Sequence, residues 1–431
     1  MRIIEISERL NPHEVNLLLP RAEKSIDSVM QDVQALISEV VTNGEKALRD
    51  QIARFDGVDH PVLKVTNQHL QEALEQVDES LIQAMKESIS RLRKSSEDAM
   101  PKQVITEYGN SAKVIQRYSP VDSVAVYAPG GKAVYPSSVI MNVVPAQVAG
   151  VSRIGLFSPA QENGLPASEV LVAAALLEID EVYAIGGVGA VAAAAHGVES
   201  LELKPFRMFT GPGNIYLAAA KRALRGLIGI DSEAGPTEIM VLADADANVD
   251  YVAADLLSQA EHDENAACVL VTDSMEFAEK VNANLHSRLE NTANQQRAKI
   301  SLEGPQSIIL VVDSLQSMVT AANEYAAEHL SLQLNDNSDA IEKITNAGAI
   351  FIGPYSPVSL GDYMAGSNHV LPTGGQGKHG SGLSVLTFLR AQQLIDYSKQ
   401  ELLELEDKLV AFTSAERLQA HGEAISSRRS N

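Results

Sequence analysis

The chain is predicted to have an α/β fold with two parallel sheets. From residue 121 onward, short runs of β-branched and apolar residues alternate with helical stretches, and a second series of such units follows the first. Strand-to-helix units in series form parallel sheets covered by helices, and right-handed crossovers make them doubly wound. A length of 431 residues also exceeds what one hydrophobic core supports. We therefore expect two Rossmann-like domains.

The two series have the same build. The first runs from the strand "SVAVYAP" to the helix "IYLAAAKRALRG" and contains four strand-to-helix units. The second begins at the strand "TEIMVLAD", passes through four further units and ends at the strand "AIFIG". This similarity of pattern indicates an internal duplication, although the residues themselves are only weakly similar.

Helical patterns flank the two series. Apolar residues at three-to-four spacing run from about Asn11 to Lys102, and a helical pattern returns after the Gly-rich loop 374–382. The predicted divisions are an N-terminal helical segment (1–104), a first Rossmann-like domain (105–236), a second (237–380) and a C-terminal helical tail (381–431). Because the tail is too short for a large core of its own, we expect it to pack on a partner subunit.

Composition argues against several classes of protein. A formal charge of −22 repels phosphate backbones, so we expect no nucleic acid partner. No apolar run approaches the roughly 18 residues of a membrane span. The first ten residues contain acids and no long apolar region, which predicts a cytoplasmic location without a secretory signal. The only cysteine, Cys268, lies in the apolar run "ACVLVTD" and is expected to be buried.

Gly-rich turns form the first candidate site. Gly187, Gly189 and Ala192 fit the G-x-G-x-x-A pattern between a strand and a helix, where backbone can approach a pyrophosphate. The acid expected about 20 residues further on is missing, and close packing of a helix on a sheet produces the same pattern. Tight turns explain the similar stretches "YAPGGKAVYPSS" and "TGPGNIY" singly, whereas several such turns at one sheet edge are more typical of a cradle for a phosphate. In open α/β sheets ligands collect beyond the carboxyl ends of the strands, so polar residues there are considered first.

Scattered polar residues form the second candidate site. Gln259 and His262 are three residues apart, on one face of a predicted helix, where they can share a divalent metal ion. An exposed polar helix face gives the same spacing, and the spacing leaves both interpretations open. The further candidates are Glu328, His329, Asp362, His369, Glu416 and His421.

Longer strings resemble the histidinol dehydrogenase family. They are "VYAPGGKAVYPSSVIMNVVPAQVAG", "GPGNIYLAAAKR", "GIDSEAGPTEI", "DLLSQAEHDE", "AAEHLSLQ" and "GPYSPVSLGDYMAGSNHVLPT". The strings follow the family's order over essentially the whole chain, and their length makes them specific. The resemblance implies a homodimer that uses Zn²⁺ and NAD to oxidise L-histidinol through L-histidinaldehyde to L-histidine. Two NAD are reduced in these closing steps of histidine biosynthesis.

The resemblance also assigns roles to residues. It implies that Glu328 activates water and that His329 accepts the alcohol proton. The implied zinc ligands are Gln259, His262, Asp362 and, from the tail of the partner chain, His421. The implied substrate contacts are Ser137, Thr237, Gln259, His262, His329, Asp362, His369, Glu416 and His421, with Glu416 reaching across the interface. The implied NAD contacts are Tyr127, Gly189 and Asn214.

Three positions depart from the family pattern. Gly189 stands where Gln is common, so we expect weaker NAD contact that Gly189→Gln would restore. Thr237 replaces Ser and keeps the hydroxyl, whereas Ala327 replaces a Pro and leaves a less rigid turn.

Two alternative functions stay open. One alternative function is dehydrogenation of another amino or sulfonated alcohol. The other is metabolite binding without catalysis, which the presence of both Glu328 and His329 disfavours.

Overall fold

The computed structural model describes residues 1–21, 26–130 and 134–429, which are arranged around three sheets. The strands are β1 (Arg2–Glu5), β2 (Lys64–Val65), β3 (Val104–Tyr108), β4 (Ala112–Pro120), β5 (Ser123–Tyr127), β6 (Arg153–Ser158), β7 (Glu181–Ala184), β8 (Met208–Thr210), β9 (Gly229–Ile230), β10 (Glu238–Ala243), β11 (Ala267–Thr272), β12 (Ile308–Val311), β13 (His329–Gln333), β14 (Ala349–Ile352) and β15 (Leu389–Tyr397).

The α-helices are α1 (Pro12–Leu18), α2 (Met30–Asn43), α3 (Glu45–Phe55), α4 (Asn67–Gln76), α5 (Glu79–Asp98), α6 (Pro136–Ala149), α7 (Ser168–Leu176), α8 (Gly187–His196), α9 (Ile215–Leu224), α10 (Val249–Ala260), α11 (Met275–Leu289), α12 (Gln295–Glu303), α13 (Leu315–Tyr325), α14 (Ser338–Lys343), α15 (Val358–Tyr363), α16 (Lys399–Glu404), α17 (Glu406–Ala415) and α18 (Gln419–Ser426). Short 3-10 helices lie at Ile26–Val29, Glu199–Leu201, Gln376–Lys378, Val385–Phe388 and Ser427–Arg429.

The first sheet has the strand order β2-β7-β6-β5-β8-β9. Strands β5 to β9 run parallel, and β2 pairs antiparallel with β7 at the edge. Counted along the chain, the parallel strands have the order 3-2-1-4-5, so the winding reverses between β5 and β8. The four strand-to-helix units predicted for this sheet are confirmed.

The second sheet repeats this winding. Its order is β1-β12-β11-β10-β13-β14, with every pair parallel. Counted from β10, the strands again have the order 3-2-1-4-5, with the winding reversed between β10 and β13. The predicted α/β fold with two Rossmann-like sheets is therefore confirmed, and the shared winding agrees with the similar build of the two series.

The N-terminal segment is mostly helical, as predicted, but it also contributes two short edge strands. Residues Arg2–Glu5 form β1, which extends the second sheet by pairing with β12, and Lys64–Val65 extend the first sheet. Two to four residues at a sheet edge are too few to show a strand period in sequence. The helices of this region cover the sheets: α2 packs on α8 and α9, α4 on α7, α5 on α6, and α1 on α13. The predicted domain boundaries stay a prediction.

A third, antiparallel sheet has the order β15-β4-β3 and was not predicted. The tail was expected to be helical from residue 381, but Leu389–Tyr397 pair with Pro120–Ala112 along their full length. The string "LRAQQLIDY" is mostly exposed and lacks an apolar face, so its strand character comes from a partner strand that is distant in sequence. Helices α16, α17 and α18 follow, as expected. No helix among the described residues is long and apolar enough to cross a membrane.

Candidate active site

The two predicted catalytic residues lie where α13 leads into β13. Glu328 directly precedes the strand and His329 is its first residue, and both side chains are buried. Thr237 directly precedes β10, which neighbours β13. The cluster therefore lies at the amino ends of β10 and β13. This position differs from the carboxyl ends, where ligands usually collect in open α/β sheets.

His329 has one ring nitrogen fixed by the backbone. Its Nδ1 lies 3.0 Å from the carbonyl oxygen of Glu238, and a carbonyl can only accept, so Nδ1 carries the proton. When the ring is neutral, its lone pair is therefore on Nε2. This Nε2 is buried and has no hydrogen-bond partner among the described residues. A buried lone pair held in one orientation is suited to accept a proton from a bound substrate.

Glu328 accepts two hydrogen bonds on one carboxylate oxygen. The Thr237 hydroxyl donates to Oε2, and the backbone N–H of Glu238 donates to the same atom over 3.0 Å. Burial raises the pKa of Glu328, while the charge of His329 and the two hydrogen bonds lower it. A carboxylate with a raised pKa is a stronger base, so the arrangement is suited to removing a proton from water.

The predicted metal ligands come from two segments near this pair. Gln259 is buried in the last turn of α10 and donates from Nε2 to the Thr237 hydroxyl, which leaves its carbonyl oxygen for a cation. His262 follows the helix and is exposed in the single chain, although the protein around its ring lowers its pKa. The charge of Asp362, from α15, opposes this shift.

The donor set fits a zinc ion. A neutral imidazole, a carboxylate and an amide oxygen are nitrogen and oxygen ligands of the type that Zn²⁺ accepts. Within residues 1–21, 26–130 and 134–429, no three His, Cys, Asp or Glu side chains form a group that could hold a metal. The predicted set contains only two such side chains from one chain, because Gln259 is an amide and His421 is expected from a partner.

His369 joins the second sheet to the first. Its Nδ1 lies 3.0 Å from the Asp362 carbonyl oxygen, and its Nε2 lies 3.5 Å from Ser138 Oγ. Burial lowers the pKa of His369, and the charges of Asp362, His329 and His262 also act on it. His369 therefore contacts both the backbone of α15 and the first turn of α6.

Ser137 and Ser138 form the first turn of α6, at the carboxyl end of β5, and both are buried. Ser138 is a contact that sequence analysis missed. Asn142, one turn further along α6, donates to the Ser138 carbonyl oxygen, while its own Oδ1 is buried without a partner among the described residues. The site therefore lies between the carboxyl edge of the first sheet and the amino edge of the second.

The two predicted tail residues are not brought to this cluster within one chain. Glu416 ends α17 and His421 lies in α18, and both are exposed to solvent. Helices α17 and α18 pack on each other. Among the described residues, no hydrogen bond or ion pair joins either side chain to the other predicted site residues.

Tyr127 and Gly189 lie at the carboxyl edge of the first sheet. Tyr127 ends β5, and its buried hydroxyl accepts a hydrogen bond from the Gly187 N–H over 3.2 Å. Burial raises the pKa of Tyr127 to about 12. Gly189 is buried in the first turn of α8. A Cβ there would lie 3.1 Å from Leu48 Cδ2 and 3.2 Å from Gln51 Oε1, so a larger side chain has to displace residues of α3.

Asn214 caps α9 in the turn "TGPGN". Its Oδ1 accepts from the N–H groups of Tyr216 and Leu217. A buried ion pair fixes the start of this turn: Asp231 accepts the Gly211 N–H over 2.8 Å, and Lys221 donates to the Gly211 carbonyl over 3.0 Å. Sequence analysis missed this pair, which has no local spacing pattern. Residues 131–133 of the third predicted cradle turn, "YAPGGKAVYPSS", lie outside the described residues.

Fold and site together define an α/β enzyme with two Rossmann-like sheets and a buried Glu-His pair between them. The family model of histidinol dehydrogenase matches residues 19–429. The chain is 48% identical over 413 residues to a histidinol dehydrogenase of Leifsonia xyli subsp. xyli, covering 95% of each protein. It is 47% identical over 425 residues to one of Corynebacterium diphtheriae, covering 97% of this chain and 95% of the relative.

A solved structure of histidinol dehydrogenase from Elizabethkingia anophelis superimposes with a TM-score of 0.94 at 30% identity, covering 99% of this chain and 98% of that one. The chain belongs to the histidinol dehydrogenase family.

Proposed function

We propose that this chain is an NAD-dependent enzyme that oxidises L-histidinol through L-histidinaldehyde to L-histidine in histidine biosynthesis. The observation that carries the proposal is the orientation of His329: its Nδ1 donates to the Glu238 carbonyl and lies 3.6 Å from the buried carboxylate of Glu328, which leaves its buried Nε2 without a partner among the described residues. Membership of the histidinol dehydrogenase family over nearly the whole chain supports the choice of histidinol. No observation favours another amino or sulfonated alcohol.

His329 serves as the base in the first oxidation. Its Nε2 accepts the proton of the substrate hydroxyl while the carbinol carbon loses a hydride, which gives the aldehyde. The Nδ1–H bond to the Glu238 carbonyl keeps the ring oriented as it becomes positively charged. The buried position excludes water from the reacting atoms at this stage.

Glu328 prepares the second oxidation. An aldehyde has no hydride to lose as a carboxylate until water adds to its carbonyl carbon. We assign to Glu328 the removal of a proton from that water, because its raised pKa makes it a competent base. Glu328 returns this proton to the former carbonyl oxygen, which completes the gem-diol. After His329 has released its first proton to solvent, it accepts a hydroxyl proton of the gem-diol while the carbon loses a hydride. This gives the carboxylic acid, which releases its remaining acidic proton to solvent and becomes the carboxylate.

The remaining predicted residues hold the reactants. When bound, NAD supplies the hydride acceptor and Zn²⁺ a fixed point for the substrate's nitrogen atoms. Gln259, His262 and Asp362 would hold the metal, with His421 of a second chain as the fourth ligand. The dinucleotide would be held by Tyr127, at the carboxyl edge of the first sheet, and by the turn at Asn214. Orientation of this kind contributes several kcal/mol to lowering a barrier, on the order of 7 kcal/mol or more in favourable cases.

We further propose a homodimer whose tails complete the opposite sites. The exposure of Glu416 and His421, away from the site in their own chain, supports this arrangement. Large apolar side chains are also exposed on the third sheet and the tail, among them Ile105, Ile395 and Phe412. A second copy of the chain would cover them. Cytoplasmic location stays a prediction from sequence.

The test is the stoichiometry of the reaction. Purified protein supplied with Zn²⁺ and NAD should form two NADH for each histidinol consumed, and treatment with a chelator should abolish the activity until zinc is restored. His329→Ala should lose turnover while it retains bound zinc. Absence of NADH formation from histidinol in zinc-loaded protein would refute the proposal, and binding of histidinol without turnover would support a metabolite-binding protein.

A further inference from the structure

Glu238 contacts both members of the catalytic pair through its backbone. Its N–H donates to Glu328 Oε2 over 3.0 Å, and its carbonyl oxygen accepts from His329 Nδ1, also over 3.0 Å. The orientation of this one residue therefore affects the charge on Glu328 and the tautomer of His329. Whatever fixes Glu238 fixes the geometry of the pair.

The side chain of Glu238 is buried, with only 4% of its surface exposed, so its charge requires a partner. Arg21 supplies that partner: its Nη1 forms an ion pair with Glu238 Oε1. Arg21 follows α1 and lies far from the catalytic strands in sequence. Its guanidinium is mostly buried, at 20% exposure, so solvent screens the pair only weakly.

The same guanidinium also holds the chain that leads into Glu328. Its Nη2 donates to the carbonyl oxygen of Tyr325, three residues before Glu328, and its Cζ lies 3.9 Å above the centre of the Tyr325 ring. Gly375, at a φ of +77°, leaves room for it, because a Cβ there would lie 3.3 Å from Arg21 Nη2. One rigid planar group thus joins the start of β10 to the end of α13, the helix that leads into β13.

We propose that Arg21 and Glu238 are positioning residues for the Glu328–His329 pair. They hold the amino ends of β10 and β13 in register, so that the Glu238 peptide presents its N–H to one catalytic side chain and its carbonyl to the other. This inference rests on the proposed function. It adds that a residue from the N-terminal segment controls the orientation of the base.

Two Arg21 variants test whether the planar guanidinium group or its positive charge alone orients the catalytic pair. Arg21→Met removes both contacts and should lower kcat by on the order of 10- to 100-fold, because a displacement of about 1 Å at a reacting group has an effect of that size. The KM for histidinol should change by less than about 3-fold, since the proposed ligands Gln259, His262 and Asp362 are untouched. Arg21→Lys should show an intermediate loss, because one ammonium group cannot replace the planar fork at both acceptors.

The primary deuterium isotope effect on kcat separates positioning from general instability. Histidinol deuterated at the carbinol carbon should show a larger isotope effect with Arg21→Met than with wild-type protein, since a misoriented base slows the hydride step. A lower fraction of folded enzyme reduces the rate without changing the isotope effect. Glu238→Gln keeps an oxygen for Arg21 and should restore most of the activity that Glu238→Ala loses.

Arg153 provides a matched control at the amino edge of the first sheet. It forms an ion pair with Glu181, lies 3.8 Å above the Phe206 ring and donates to the carbonyl oxygens of Lys204 and Pro205. Arg153→Met should lower the melting temperature but leave kcat per folded enzyme and the isotope effect unchanged.

The outcomes are distinct. A lower kcat with a larger isotope effect in Arg21→Met alone supports the positioning role. Wild-type kcat, or a lower kcat with an unchanged isotope effect, overturns it. Wild-type protein that does not oxidise histidinol refutes the proposed function instead, and this result appears before any variant is compared.

Discussion

Thr237→Val tests the hydrogen bonds around the proposed water-activating carboxylate. The substitution replaces one hydroxyl with a methyl group and leaves the rest of the side chain in place. It removes the hydroxyl that donates to Glu328 and the acceptor for the amide N–H of Gln259. Glu328 then keeps only the Glu238 N–H among the donors that the structure shows.

The expected loss of rate in Thr237→Val follows from these contacts. A hydrogen bond to a charged group contributes about 1.5–3 kcal/mol. Each 1.36 kcal/mol corresponds to a factor of about ten in the ratio of ionised to protonated carboxyl, so on the acid limb of the pH profile oxidation of the aldehyde should slow by about 10- to 100-fold. The Thr237 bond lowers the pKa of Glu328 against the effect of burial, and its removal raises that pKa further. Because the carboxylate is the active form, the acid limb of the pH profile should move to higher pH.

The assay compares two starting compounds. Turnover from histidinaldehyde isolates the step that requires water, and turnover from histidinol reports both oxidations. Thr237→Ser retains the hydroxyl and should behave like wild-type protein. A Val variant that oxidises the aldehyde at the wild-type rate, with its acid limb unmoved, would refute the role given to these hydrogen bonds.

Further predictions concern the dinucleotide edge and the cysteine. Lys221→Met leaves the buried Asp231 unpaired and should cost about 3–5 kcal/mol in unfolding free energy and raise the KM for NAD; an unchanged KM in folded protein would contradict the role of the pair at Gly211. Gly189→Gln was expected from sequence to tighten NAD, but its crowded position now predicts a lower melting temperature and no gain in affinity, so a lower KM for NAD at unchanged stability would disprove this. Burial raises the pKa of Cys268 to about 12, and the thiol should react with Ellman's reagent only after unfolding; rapid reaction of native protein would contradict its burial.

The sequence predicts the two main sheets because their strands are continuous buried apolar runs. Strands such as β10 (Glu238–Ala243) and β11 (Ala267–Thr272) are buried at every position, and each is followed by a helix with a capping residue, Asn248 or Ser274. Local pattern and tertiary structure agree there. By contrast, β1 and β15 owe their strand character to partners far away in the chain, which no local period records.

The site was predictable only in part. Gln259 and His262 show a local spacing, and the resemblance assigned the rest of the predicted set. The structure adds Glu238, Arg21 and Ser138, which act through backbone contacts or across domains. Such residues carry no motif, because their role depends on which strands become neighbours. The position of the site at the amino ends of β10 and β13 could not be inferred from the general behaviour of α/β sheets.

Subunit complementation tests the central claim most directly, namely that two chains form each site. His421→Ala and Asp362→Ala should each inactivate their own homodimer, whereas a mixture allowed to exchange subunits contains hybrids with one intact site. With random exchange at equal amounts, activity should recover to about one quarter of the wild-type value. No recovery despite verified exchange would contradict a ligand donated by the partner chain.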